Sequence, residues 1–361
     1  MKRILFINPT ASLGGGPAIA NLLASRLKGS FEAVEFFPDH GPAAEKAKEA
    51  GIISLFSDGG GMFRTVSSLR KIIGTKDIDI VHAHGTRAAL WAKLAFLTGA
   101  RRKPFIYTLH GIHFLRKSFI YRIAFLIFER ITNAMVSALV TVSDMDYASA
   151  KKYKLIDPEK LFLVHNGIDY ELFSSIHDDG KLRDEWKARG KFLVLTVCRL
   201  AFPKDVAAII GGVHKLTESF KLVVVGSGPD EKKLKNIDAE LGGGTIFLGD
   251  RNDIPKILAA ADVFVLSSKW EGMPVTILEA MAASRPVVAS NSPGIRDIVK
   301  DHETGLLFTY GDAEDLKKKL ELLSGNAELR EKLAENGNRM VRENFTAQKM
   351  ADAYAEIYKK Y

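Results

Sequence analysis

The 361 residues predict an α/β protein of two domains, each a mostly parallel sheet with helices on both faces. Short apolar runs rich in β-branched residues alternate with amphipathic stretches of helical length. That alternation runs through the chain twice. Between the two runs, HDDGKLRDEWKARGK (177–191) is polar and poor in strand signal. The length also suits two domains of roughly 150 residues each.

In order, the first half offers strands at Ile4–Ile7, Ala33–Phe37, Ile80–His82, Phe105–Leu109, Ala138–Val142 and Leu161–Val164. Helical stretches lie between them, including Ala18–Leu27, Arg87–Leu97 and Phe119–Ala134. The second half repeats the scheme with Phe192–Val197, Lys221–Val225, Thr245–Leu248, Val263–Leu266 and Pro286–Ala289. Two such sets predict two Rossmann-like domains, 1–168 and 169–345, with the break between Gly167 and Lys191. Thr346–Tyr361 reads as one helix, with Met350, Tyr354, Ile357 and Tyr358 along a face.

Hydrophobic and charged fractions of 47% and 26% are ordinary for a soluble globular chain, which needs no disulfide or metal to hold its core. The single cysteine, Cys198, cannot form an intrachain disulfide, which fits a reducing compartment and a cytoplasmic location. The apolar run near the start, Ile4–Ile7, is too short for a secretory signal and reads as a buried strand. The longest apolar-rich stretch, 114–142, is interrupted by Arg116, Lys117, Arg122, Glu129 and Arg130. A spanning helix needs about 20 mostly apolar residues, so no span is expected; a peripheral position on the inner face of the cell membrane stays open.

Charge is divided unevenly. Residues 1–165 hold 23 Lys/Arg against 13 Asp/Glu, a net of +10, and 166–361 hold 28 against 30, a net of −2. The basic half suggests an anionic partner, such as nucleic acid, a phosphorylated substrate or a membrane face. A basic surface kept for solubility explains it equally well.

Ligands of open α/β sheets bind beyond the carboxyl ends of the strands, so the loops after strands carry the candidate chemistry. CRLAFPKD (198–205) places Arg199 and Lys204 five apart on one such loop. Two cations there can offset charge gathering on a leaving diphosphate. The loop at Gly226, Ser227, Gly228 and Pro229 suits either close approach of backbone to a ligand or a plain tight turn. The strongest signal is SSKWEGMPVTILEAMAASRPVVAS (267–290). Gly272, Met273 and Pro274 open a predicted helix through Ala280, whose free N–H groups suit phosphate. Glu271 precedes that helix and Glu279 lies about two turns in, so the two would meet different parts of an extended ligand. The bland alternative makes Glu271 a cap and Glu279 a solvated residue.

VHNGID (164–169), CRLAFPKD, LVVVGSGP (222–229), FLGDRNDIP (247–255), EGMPVTILEAMAASRPVVAS (271–290) and SPGIRDIVKDHETGLLF (292–308) together resemble glycosyltransferase family 4, in that family's order and spacing. The resemblance implies the GT-B fold, with the two domains facing each other across a cleft and the terminal helix 346–361 crossing back to the first. It implies a retaining hexosyltransferase with a nucleotide-sugar donor, expected to be a UDP-sugar because that is the family's frequent choice. By the same carry-over, Arg199 and Lys204 hold the diphosphate, Glu279 the ribose and Glu271 the donor sugar. Backbone around Arg251 lines the base pocket, while Gly226, Gly272, Met273 and Pro274 complete the donor site. The family uses no cofactor or bound metal, Arg199 and Lys204 doing the neutralising. Cys198 and Asp205 stand where the family usually has glycine, Arg296 where proline is common and Asp297 at the usual glutamate.

In the first half, LGGGPAIANLLASRL (13–27), VHAHGTRAALWAKLA (81–95) and YTLHGIHF (107–114) resemble the family's glycine-rich loop and its next two signatures. Gly15 and Gly16 are then expected near donor phosphates or acceptor. Of the histidines expected after strands, His82, His84, His110 and His113, the first choice for the active site is His110 and the second His113. The role implied is contact and orientation, with the diphosphate itself accepting the acceptor's proton.

Segment 101–130 holds seven Lys/Arg and one acidic residue, interleaved with aromatics. Either Arg116, Lys117 and Arg122 face an anionic membrane, or the apolar residues are core and the cations simply exposed. The arrangement also resembles family members that extend polyprenyl-diphosphate-linked glycans in polysaccharide biosynthesis. A soluble, phosphorylated small acceptor is the rival reading. Nucleic acid is not expected as a partner, because no helix-turn-helix, zinc or RNA-binding signature is present.

Overall fold

The computed structural model describes residues 1–12, 14–75, 77–112 and 118–361. It divides into two compact units, Met1–Gly167 with Ala347–Tyr361, and Ile168–Thr346.

The first unit is a seven-stranded parallel sheet of β1 (Arg3–Ile7), β2 (Glu32–Phe37), β3 (Ile53–Phe56), β4 (Ile80–His84), β5 (Phe105–Leu109), β6 (Ala138–Thr141) and β7 (Leu161–Leu163). The strand order is β3-β2-β1-β4-β5-β6-β7. Central strands read as continuous apolar runs because helices cover both faces. Ile4, Leu5, Phe6 and Ile7 are all fully buried. Register sets Phe6 beside Glu35 on one side and His82 on the other.

The terminal helix Ala347–Lys359 belongs to this unit and buries Met350, Tyr354, Ile357 and Tyr358. The helix Phe119–Thr132 is tied down at its carboxyl end. There the buried Lys93 ammonium donates to Glu129 at 3.3 Å, Thr132 at 2.9 Å and Asn133 at 2.9 Å. Burial lowers the Lys93 pKa and the Glu129 carboxylate partly restores it. A buried lysine is tolerable only with such compensation.

The second unit is a six-stranded parallel sheet of β8 (Phe192–Val197), β9 (Phe220–Val225), β10 (Ile246–Phe247), β11 (Val263–Leu266), β12 (Val287–Ser290) and β13 (Leu306–Phe308). Its order, β10-β9-β8-β11-β12-β13, reproduces the first six places of the other sheet. Segment 177–191 is folded into this unit. Its Arg183 bridges Asp178 at 3.2 Å and Asp262 at 2.9 Å.

Several elements differ from the sequence reading. β3 and β13 were not expected; both are short edge strands that lack a long apolar run. β4 runs to His84, so His82 and His84 lie inside a strand rather than after one. The helix after β11 spans Val275–Ala282 with Pro274 at its cap, so Gly272 and Met273 belong to the loop. Among the described residues no helix is long and apolar enough to cross a membrane.

Candidate functional site

Each strand order reverses between its two central strands, β1 and β4 in one unit and β8 and β11 in the other. Loops leaving neighbouring strands part there and open a crevice at the carboxyl edge. In the second unit the parting loops are 198–205 and 267–274. They are the two that carry Arg199, Lys204 and Glu271.

Ser267, fully buried at the end of β11, donates to the carbonyls of both Lys204 at 2.8 Å and Asp205 at 2.6 Å. Lys269 N–H donates to Pro203 at 2.9 Å. The loop after β8 is thus held by the loop after β11. Asp205 takes φ 46, the left-handed conformation that a glycine adopts without cost, before the helix Val206–His214 begins. Lys204 forms a hydrogen-bonded ion pair with Glu271, both side chains largely buried. Arg199 is exposed and makes no ion pair among the described residues. One cation of the pair is therefore committed and oriented, and the other is available to an anion.

Glu271 is fixed from behind. Its N–H donates to Pro293 at 3.0 Å, and Gly294, at φ +81, packs so closely that a Cβ would lie 2.3 Å from the Glu271 carbonyl. Ser290 and Ser292 hydroxyls both donate to the Ser268 carbonyl, at 2.6 and 2.8 Å. Glu279 is half-buried in the helix Val275–Ala282, away from Glu271 along the chain as expected. Gly272, Met273 and Pro274 are buried in the loop before it.

Gly226 has a role in the fold itself. At φ +118, a Cβ there would sit 2.0 Å from the Cys198 carbonyl oxygen, so the loop after β9 needs glycine to pass under the loop after β8. Arg251 is engaged by Asp253 in two hydrogen bonds of 2.8 and 2.6 Å, which raises its pKa and lowers that of Asp253. Its guanidinium is thus occupied, and the expectation for this segment concerns backbone.

Sequence reasoning missed the Lys204–Glu271 pair, the serine struts and an edge-to-face contact between Phe202 and Trp270, with ring centroids 5.0 Å apart. Phe202 is 67% exposed. Both aromatics stand on the loops flanking the crevice, and CRLAFPKD and KWEG carried that signal.

The first unit's crevice is built differently. His82 and His84 are fully buried, and burial holds both well below the ordinary histidine range, so both are neutral. The rings of His82, His84 and His110 follow one another in a row, His82 tilted against His84 with centroids 4.2 Å apart and His84 stacked on His110 at 5.3 Å. His82 Nδ1 bonds the Tyr358 hydroxyl at 2.7 Å, and its Nε2 bonds Thr108 Oγ1 at 2.8 Å. Thr108 in turn meets Tyr354 at 2.8 Å. His110, just past β5, is half-buried and lies against Gly16, whose added Cβ would be 3.9 Å from the ring. Gly15 and Gly16 open the helix Gly15–Arg26 with no close contact that demands glycine. His113, Arg116 and Lys117 lie outside the described residues.

A cavity of about 420 Å³ opens at the carboxyl edge of β1–β4, lined by Thr10, Asp39, Thr65, Arg87 and Trp91 among others. Arg87 is exposed and makes no ion pair among the described residues. The expectation for 101–130 divides. Phe105–Leu109 is core, but the helix Phe119–Thr132 turns a broad apolar face outward, with Ile120 81% and Ile131 69% exposed. Phe119, Tyr121, Ile123 and Ile127 are exposed with them, and Arg122 lies over the Phe119 ring.

Residues 14–172 match the family described as Glycosyltransferase Family 4, and residues 178–340 match Glycosyl transferases group 1. The chain is 29% identical over 320 residues to the UDP-Gal:alpha-D-GlcNAc-diphosphoundecaprenol alpha-1,3-galactosyltransferase of Escherichia coli, covering 85% of this chain and 80% of that one. It is 25% identical over 306 residues to the N-acetyl-alpha-D-glucosaminyl L-malate synthase of Bacillus anthracis, covering 81% and 77%. Among solved structures, Anabaena HepE in complex with UDP and glucose matches at TM-score 0.90 and 21% identity over the full length of both chains. At that identity the likeness speaks to the fold, which is GT-B.

Proposed function

Because the chain belongs to the glycosyltransferases, a Family 4 domain followed by a group 1 domain, we propose that it is a retaining, metal-independent enzyme using a UDP-sugar. The observation that carries this is the arrangement at the β8/β11 crevice, one cation held by a carboxylate and a second left exposed on the same loop. Arg199 and Lys204 take the diphosphate and stabilise its growing charge as the sugar leaves. Glu271 holds Lys204 in place and accepts from a donor-sugar hydroxyl. Glu279 accepts from the ribose, and the backbone near Arg251 borders the base. His110 contacts and orients, with no proton transfer assigned to it. The HepE structure, which holds UDP and glucose, supports this choice of donor.

For the acceptor we favour a polyprenyl-diphosphate-linked glycan, met by an enzyme resting on an anionic membrane face. The E. coli relative is named for a diphosphoundecaprenol acceptor, and the outward apolar face of Phe119–Thr132 with Arg122 suits an interface. A soluble anionic acceptor is the second reading. The B. anthracis relative is named for L-malate, and the 420 Å³ cavity with its exposed Arg87 suits a small anion.

Thermal melts with nucleoside diphosphates, in chelator, test the donor site. UDP at about 100 times its dissociation constant should stabilise by roughly 2.7 kcal/mol, and Glu279→Ala should abolish the shift. No shift from any nucleotide at millimolar concentration would overturn the donor assignment. Sedimentation with phosphatidylglycerol vesicles tests the membrane reading: Ile120→Glu with Ile127→Glu should release a protein that otherwise pellets at low salt.

A further inference from the structure

Of the three histidines in this row, the function above uses only His110. His84 lies directly beneath it, sealed between Phe6, at 5.8 Å between centroids, and His82 at 4.2 Å. Its Nδ1 is 3.1 Å from His110 Nε2, and its own Nε2 is buried with no hydrogen-bond partner.

A neutral imidazole carries one proton, on either nitrogen. Held on Nε2, the proton of His84 would be a buried N–H with no acceptor, the kind of orphan that folded proteins avoid most strictly. Held on Nδ1, it has an acceptor at hydrogen-bond distance and leaves only a lone pair unmatched, the smaller loss. Burial keeps the ring neutral, so these two forms exhaust the choices.

We propose that His84 is a positioning residue, whose Nδ1–H donates to His110 Nε2 and so fixes His110 as the neutral tautomer with its proton on Nδ1. The inference rests on the reading of His110 as an active-site contact. A histidine whose Nε2 is occupied as an acceptor cannot gain a proton there unless His84 moves its own onto the orphan nitrogen. His110 is thereby held as an uncharged ring with its proton on Nδ1, poorly suited to act as a general acid through Nε2. His82 completes the device. Its two bonds, to Tyr358 and Thr108, lock the ring against which His84 packs.

The test is nitrogen NMR of the full chain labelled with ¹⁵N-histidine, with His110 assigned by its loss in His110→Ala. In the native protein His110 should show a protonated Nδ1 and an unprotonated Nε2 from pH 6 to 8. His84→Phe keeps the stack and deletes the donor; there the His110 signals should move to a mixture of tautomers, and kcat should fall about tenfold with KM for the donor little changed. His84→Asn, which can return an N–H near the Nδ1 position, should recover the native tautomer and most of kcat. A protonated Nε2 on His110 in the native protein, or an unchanged tautomer in a folded His84→Phe, overturns the proposal. Full activity of His110→Ala with the tautomer behaviour as expected would instead overturn the reading of His110, leaving the positioning contact intact.

Discussion

Gly226 and Gly15 both follow strands of sheets with the same order, yet a methyl group would fare differently at each. At Gly226 it would drive into the Cys198 carbonyl at 2.0 Å; at Gly15 it would meet nothing within 4 Å. The crevices around them diverge in the same way. In the second unit, loops are braced by serine hydroxyls, close backbone packing and a lysine–glutamate pair. In the first, the strand ends are filled with neutral rings and the glycine-rich turn stands free. Glycine in one serves the fold, and in the other the space that a side chain would fill stays open. The contrast separates a glycine that the fold requires from one that the fold does not require.

The largest expected effect tests that division. Gly226→Ala should lower stability by about 3 kcal/mol or more, since positive φ and a backbone clash both oppose it. Gly15→Ala, at the first residue of a helix, should change stability by less than about 1 kcal/mol, in the stabilising direction, while reducing turnover. Denaturant melts beside a transfer assay read both. Equal destabilisation at the two positions would erase the comparison.

Next in size is a difference in pH response. Glu35 is fully buried beside Asn8, which donates to it at 2.8 Å, and burial pushes its pKa up to about 8. Between the unfolded value of 4.5 and about 8 the folded state holds a proton that the unfolded state has lost, so stability falls as pH rises through that range and is lowest above 8. Glu35→Gln should remove this slope and stabilise the protein at pH 9 by a few kcal/mol, on the order of 1.4 per pH unit. Melts at pH 5 and 9 measure it; an equal effect at both pH values would mean that Glu35 is charged throughout.

Smaller again is the split between the cations. Arg199→Ala should weaken UDP binding about 10- to 100-fold and leave the melt of the ligand-free protein unchanged. Lys204→Met should weaken binding and also lower stability, because the largely buried Glu271 loses its partner. Titration calorimetry with melts distinguishes the two.

Why some of this was legible in sequence and some was not follows from distance along the chain. Loops after strands can be read locally, so CRLAFPKD and the Glu271 segment could be singled out as site candidates. The Lys204–Glu271 contact spans 67 residues and exists because the sheet order sets β11 beside β8, which no local pattern states. His82 and His84 misled for a related reason. Polar residues at the end of an apolar run look like a loop, but Tyr358 and Thr108 satisfy His82 inside the sheet. β3, with ISLF half-exposed at an edge, lacked the apolar length that marks a strand. The periodicity of the terminal helix was strong enough to show four of the side chains it buries.

That helix supplies the smallest prediction. Tyr358→Phe removes only the hydroxyl that meets His82 Nδ1 at 2.7 Å, leaving the aromatic ring to keep its contacts with Phe31 and Tyr354. One buried hydrogen bond is lost and one nitrogen left unmatched, at a cost of about 1 to 2 kcal/mol. His82 can answer by turning its proton toward Thr108, whose hydroxyl already serves Tyr354, so the loss should spread along the ring chain rather than stay at one bond. Amide exchange should then quicken in β4, β5 and Ala347–Lys359. UDP binding, which we place at the β8/β11 loops, should stay within about twofold of native. A nucleotide affinity that falls along with exchange protection in the first unit would mean that the two crevices are energetically coupled.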